Sequence, residues 1–147
     1  MDQAAACDVS FRPIAADRLR QAGVRPTRPR LAIMDAIQRG GTRHLAPESF
    51  HRELADSGIP LSLATVYNTL NQFAEVGLLR RVGFGDRSYY CTNTGEHHHF
   101  YDEMTGRIED ITGAQPKVIG LPEAPPGMVI DGVEVIVKLR RIKHYAE

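Results

Sequence analysis

The chain has 147 residues, of which 42% are hydrophobic and 24% charged, and its 18 basic and 18 acidic side chains cancel to a formal net charge of zero. That length buries a modest core as one domain or two small ones, and no apolar run approaches the ~20 residues needed to cross a bilayer. The opening MDQAAACDVSFRP lacks the basic start and apolar stretch of a secretory signal, and Cys7 and Cys91 form neither a CxxC knuckle nor a disulfide framework. A soluble, cytoplasmic protein with no membrane partner is expected.

The neutral total conceals an asymmetry. Residues 1–84 carry 11 Arg against 8 acids, a net +3, and residues 85–147 carry 7 basic residues against 10 acids, a net −3. Arg12, Arg18, Arg20, Arg25, Arg28 and Arg30 face only Asp17 in their stretch. Arginine grips phosphate through a planar fork, so a basic front points to a nucleic-acid-facing module. A solvated basic face would give the same balance, and charge alone does not decide.

The spacing predicts a helix over Ile14–Ala22 that stops at Gly23. Pro26 and Pro29 punctuate the chain before a second helix, Arg30–Gln38, with Leu31, Met34 and Ile37 on one face. Gly40 and Gly41 end it. A third helix starts at Pro47, whose missing N–H costs nothing in a first turn; it buries Phe50 and Leu54 and closes near Ser57-Gly58. Ser62 is the expected N-cap of a fourth helix reaching about Val76, with Gly77 beyond it.

Leu63, Val66, Leu70 and Phe73 form the expected apolar stripe of that fourth helix. Ser62, Ala64, Thr65, Tyr67 and Asn68 fall largely off it, near the N-terminal end, where a recognition helix meets base edges and phosphates. Asn68 has the chemistry to pair with an adenine edge. An ordinary amphipathic helix is the bland alternative, and the helix–turn–helix order behind a basic approach favours DNA. Leu79–Val82 and Arg87–Cys91 then read as a hairpin around Gly83-Phe84-Gly85-Asp86, the wing of such a module.

The second half carries His97-His98-His99. In an extended segment His97 and His99 share one side and His98 takes the other. Imidazole is the commonest side-chain ligand for transition metals and also ligates haem iron, and Glu96, Asp102, Glu103, Glu109 and Asp110 are near in sequence. Phe100-Tyr101-Asp102 continues as a strand, turns through Met104-Thr105-Gly106 and returns as Arg107–Ile111. After a connector with Pro116, Pro122, Pro125 and Pro126, Met128–Ile142 reads as a strand with Val133, Val135, Val137 and Leu139 on one face. So small a sheet is expected to pair with a second copy.

This arrangement resembles the ferric uptake regulator family, and more narrowly its Irr-type iron response regulators. The residues that carry the resemblance are Val24–Arg30, His44-Leu45-Ala46-Pro47-Glu48, Leu63-Ala64-Thr65-Val66-Tyr67-Asn68-Thr69-Leu70 and His97-His98-His99-Phe100-Tyr101, within residues 14–142. The resemblance implies an α+β homodimer on a double-stranded DNA operator. A winged helix-turn-helix domain would occupy residues 1–84, its wing strand extending to about 91, and a small α/β dimerisation and sensing domain residues 92–147. It implies DNA contacts from Tyr67 and Arg25, and the full set of DNA-binding residues expected from the basic stretch and the helix face is Arg25, Arg28, Arg30, Ser62, Thr65, Tyr67 and Asn68. It implies metal ligation by His44, the His97–His99 cluster and Asp110, and the ligand set expected for this chain is His44, Cys91, His97, His99 and Asp110, with Fe²⁺ or Mn²⁺ as the ion or Zn²⁺ after purification.

The chain departs from the general family pattern in three places. Asp102-Glu103-Met104-Thr105-Gly106 replaces a CxxC pair, Phe100 and Tyr101 replace two ligands, and Cys91 stands where a carboxylate is expected. These departures fit the Irr type, which senses haem through the histidines, here His97, His98 and His99. Cys7 is followed by Asp8 rather than the proline of a second haem motif. The expected function is a regulator of iron homeostasis and haem synthesis; the alternatives are a directly Fe- or Mn-dependent repressor and a peroxide sensor. A metalloenzyme is the rival from another class, but no HExxH helix, nucleophile elbow or phosphate loop is present.

Overall fold

The computed structural model describes residues 12–84 and 86–143; Cys7 lies outside them. The chain divides into two compact units, Met1–Thr94 and Gly95–Glu147. The described residues form helices and sheets without repeating βαβ units, an α+β arrangement. No helix among the described residues is long and apolar enough to cross a membrane.

The first unit contains α1 (Arg12–Gln21), α2 (Arg28–Arg39), β1 (His44–Leu45), α3 (Pro47–Asp56), α4 (Leu63–Glu75), β2 (Arg80–Phe84) and β3 (Arg87–Cys91). Prolines sit at the N-terminal turns of α2 and α3, where no backbone donor is lost. Ser62 caps α4, its Oγ accepting from Thr65 N–H at 3.1 Å. The end of α1 is closed by Val24 N–H donating to the Leu19 carbonyl at 2.8 Å and Gly23 N–H to that of Arg20 at 2.9 Å. Leu78 and Gly77 close α4 the same way onto Phe73 and Ala74. Both closures need a left-handed residue, and Gly23 (φ 76°) and Gly77 (φ 80°) supply it without a Cβ penalty.

Leu19, Ile33, Phe50, Leu70, Phe73 and Tyr90 lie within one buried core that ties the four helices to β3. The expected stripe of α4 holds at Val66, Leu70 and Phe73, but Leu63 is 38% exposed and Thr69 is buried in its place. Leu63 opens the first turn, so it stands beyond the edge of the core. The expected four-residue turn of the hairpin is shorter: β2 runs on through Gly83 and Phe84, which pair with Ser88 and Arg87. Strand β1, which the sequence reading left out, pairs antiparallel with β3 through His44↔Cys91 and Leu45↔Tyr90, giving the order β1-β3-β2.

The second unit holds β4 (His99–Asp102), β5 (Arg107–Asp110) and β6 (Ile136–Leu139) in the order β5-β4-β6. Strand β4 pairs antiparallel with β5 and parallel with β6. None of the described residues of this unit is helical, which corrects the expected α/β character. Pro116, Pro122, Pro125 and Pro126 each lack an N–H and clash with a preceding helical turn, so the connector stays irregular. The expected strand Met128–Ile142 is also corrected, to four residues. A strand forms only where a neighbour completes its ladder, and β4 offers four register partners. Upstream apolar side chains remain exposed, Val129 at 87%.

Candidate metal centre and candidate nucleic-acid interface

In the second unit, antiparallel register sets His99 opposite Asp110. Nε2 of His97 lies 3.0 Å from Asp110 Oδ1, and Nε2 of His99 lies 3.3 Å from that same oxygen. The two imidazoles meet edge to face with centroids 4.5 Å apart, and they are 6% and 0% exposed. Nδ1 of His97 donates to the Gly95 carbonyl at 2.6 Å, since a carbonyl oxygen only accepts. With Nδ1 engaged, Nε2 is the nitrogen of His97 that faces the carboxylate, where it can serve as a ligand atom. One ligand atom from each of His97, His99 and Asp110 lies within 4.8 Å of the other two.

His98 points elsewhere, as the alternation predicts. Its Nδ1 accepts the Val135 N–H at 3.0 Å, and its own N–H donates to Gln115 Oε1 at 2.9 Å. Of the expected haem residues, His97 and His99 face Asp110 while His98 bonds the Val135 segment, as successive residues of an extended segment face opposite ways.

In the first unit, the β1–β3 register places His44 beside the buried Cys91, with a ligand atom of each within 4.8 Å of the other's. The short strand β1 is held at its entry. Arg43 N–H donates to Thr92 Oγ1 at 2.8 Å, and Thr92 N–H returns to the Arg43 carbonyl at 3.0 Å. The Arg43 guanidinium forks onto Glu53 at 2.8 and 2.9 Å and lies over the Phe50 ring, which fixes a side chain that would otherwise be mobile.

The expected nucleic-acid residues divide by environment. On α4, Ser62 and Asn68 are exposed while Thr65 and Tyr67 are half-buried. Ser62 Oγ and Thr65 Oγ1 hydrogen-bond to each other at 2.8 Å. Tyr67 donates its hydroxyl to Glu48 Oε1 at 2.6 Å. That bond, more than the Arg52 and Arg87 charges, holds the Glu48 carboxyl below its ordinary range, and it pushes the Tyr67 phenol up. Arg25 and Arg28 are exposed; Arg30 is half-buried and donates to the Arg25 carbonyl at 2.9 Å.

Sequence reasoning missed Glu48 and Glu134. Glu48 lay in plain view at the start of the third helix but had no assigned partner. Glu134, whose Oε1 is 3.2 Å from His99 Nδ1, was assigned to the polar side of a strand. The alternation that placed Val133 and Val135 on one face was the available signal, but it named no neighbour.

Among the described residues, four helices and a hairpin in one unit, and buried imidazoles around an acid in the next, define a two-unit α+β protein with a candidate histidine–carboxylate ligand set. Residues 21–121 match the ferric uptake regulator family, and the chain belongs to it. Members of this family are transcription regulators, not enzymes. The ferric uptake regulation protein of Legionella pneumophila is 36% identical over 95 residues, 63% of this chain and 70% of that protein. That of Shigella flexneri is 38% identical over 81 residues, 55% of each chain, so this chain matches about half of its length. Among solved structures, the ferric uptake regulator of Pseudomonas aeruginosa, determined with manganese, superposes with a TM-score of 0.66 at 24% identity, covering 88% of this chain and 99% of that one. The Vibrio cholerae regulator gives 0.65 at 21% identity, covering 86% and 98%. These two likenesses establish the fold.

Proposed function

We propose that this chain is a metal-responsive transcription regulator that binds operator DNA as a homodimer in the cytoplasm. Residues 1–84, with the wing strand extending to about 91, act as a winged helix-turn-helix that reads DNA through α4; residues 92–147 dimerise and sense. His97, His99 and Asp110 of the second unit hold the ion, and the family resemblance adds His44 and Cys91 to the ligand set. The observation that carries this reading is the convergence of two buried imidazole Nε2 atoms on one oxygen of Asp110. Nitrogen, carboxylate and a single thiolate suit several first-row ions, and Mn²⁺ or Fe²⁺ is the proposed effector, with Zn²⁺ as the competitor. An ion that binds one state of the chain better than another shifts the population toward that state.

On the DNA side, Arg25, Arg28 and Arg30 anchor phosphates, while Ser62, Thr65, Tyr67 and Asn68 meet the groove. The Irr-type, haem-responsive form of this function rests on the His97-His98-His99-Phe100-Tyr101 motif. Burial of His97 and His99 favours the directly metal-dependent form, since haem needs an open face. A peroxide sensor would share the same ligands.

DNA binding measured with Mn²⁺, with haem and with peroxide separates the three. The proposal expects Mn²⁺ to strengthen binding to selected genomic fragments at least tenfold and Asp110→Asn to abolish that response. Haem binding with a Soret shift that disappears in a His97/His98/His99→Ala variant, together with an unchanged Mn²⁺ response, would replace it with the haem form.

A further inference from the structure

We propose that Glu134 is a positioning residue for the metal centre: its carboxylate, set against Nδ1 of His99, fixes which ring nitrogen that histidine turns toward the ion. The inference rests on the metal reading above and adds a residue that lies outside the ligand set. A neutral imidazole carries one N–H and one lone pair, and the wrong tautomer cannot ligate from the right side. His99 has an acid at each nitrogen: Asp110 Oδ1 3.3 Å from Nε2 and Glu134 Oε1 3.2 Å from Nδ1. The ring is fully buried, so bulk water does not settle the choice. A proton on Nδ1, on the Glu134 side of the ring, leaves the Nε2 lone pair on the side where His97 and Asp110 converge. The Gly95 carbonyl performs the equivalent task for His97 at 2.6 Å. Outer carboxylates of this kind orient a ligand imidazole and raise its basicity.

The backbone explains why Glu134 arrives where it does. Its neighbour Val135 accepts from His99 N–H at 3.2 Å and donates to His98 Nδ1 at 3.0 Å. One residue later β6 begins, with Ile136 in register with His99. Glu134 is thus delivered to the centre by the docking of the C-terminal strand on β4. His98 gains a definite role as the clamp for that segment.

Co²⁺ titration of the full chain, followed through its d–d absorption, tests this with Glu134→Leu, Glu134→Gln and Asp110→Asn. The expected result is that Glu134→Leu, which offers Nδ1 no acceptor, binds Co²⁺ roughly ten- to a hundredfold more weakly with unmoved band positions, because the ligands themselves are intact. Glu134→Gln, whose amide oxygen still accepts, recovers part of the loss, and the metal-free variants melt as the parent does. Asp110→Asn, which removes a ligand, both weakens binding and shifts the bands. Parent-like affinity in Glu134→Leu overturns the positioning role while leaving the centre standing. Bands shifted as in Asp110→Asn also overturn it, by making Glu134 a ligand. A parent that binds no Co²⁺ overturns the metal reading and this inference together. If Glu134→Leu fails to fold, Glu134→Ala decides: its affinity must fall without a band shift, and parent-like affinity overturns the role.

Discussion

Tyr67 and Glu48 form a linked pair whose behaviour is readable from direction alone. The Tyr67 hydrogen bond lowers the Glu48 carboxyl from its ordinary 4.5, so the unfolded chain binds more protons than the folded one as pH falls. The stability this bond contributes is present above 4.5 and is lost as pH drops through the lowered folded value. The phenol is raised from its ordinary 10.0, so its share is present below 10.0 and is lost as pH rises through the raised value. Tyr67→Phe is expected to destabilise by no more than about 1 kcal/mol, because its partner Glu48 is exposed and water screens the bond. The difference from the parent in urea unfolding should grow between about pH 3 and pH 6 and then stay level to neutrality. Parallel profiles for the two proteins across that range would contradict the pairing.

Helix α4 shows how packing and capping divide the work within one element. Phe73→Ala removes a fully buried ring and should cost about 3–5 kcal/mol in denaturant unfolding. Ser62→Ala removes the cap and should cost about 0.5–2 kcal/mol. Leu63→Ala should cost less than about 1 kcal/mol, because that side chain is exposed; a loss like that of Phe73→Ala would return Leu63 to the core. The helices were legible in the sequence because each is bounded by local signals, such as Pro47, Ser62 and Gly77, and carries a buried stripe of its own. Strand β1 was not, since two residues show no periodicity. The long alternating stretch Met128–Ile142 misled for the opposite reason: alternation gives a strand its faces but not its neighbour, and only Ile136–Leu139 finds one. His97, His99 and Asp110 were legible as chemistry, and Asp110 came from the family resemblance. The approach of Glu134 to His99 was not legible, because it depends on the parallel β4–β6 pairing of segments far apart in sequence.

At the scale of the whole molecule, the proposed regulator couples DNA reading to metal sensing. Arginine anchoring of phosphates should make duplex binding weaken steeply with salt, but any basic module would do the same. The distinguishing property is linkage: if the ion favours the DNA-binding arrangement by some factor, DNA must tighten the ion by that same factor. The direct measurement is the Mn²⁺ affinity of the full chain, titrated with and without a saturating operator duplex. The account predicts tighter Mn²⁺ binding on DNA, by the factor with which Mn²⁺ tightens the DNA complex. Equal Mn²⁺ affinity in the two titrations would contradict it.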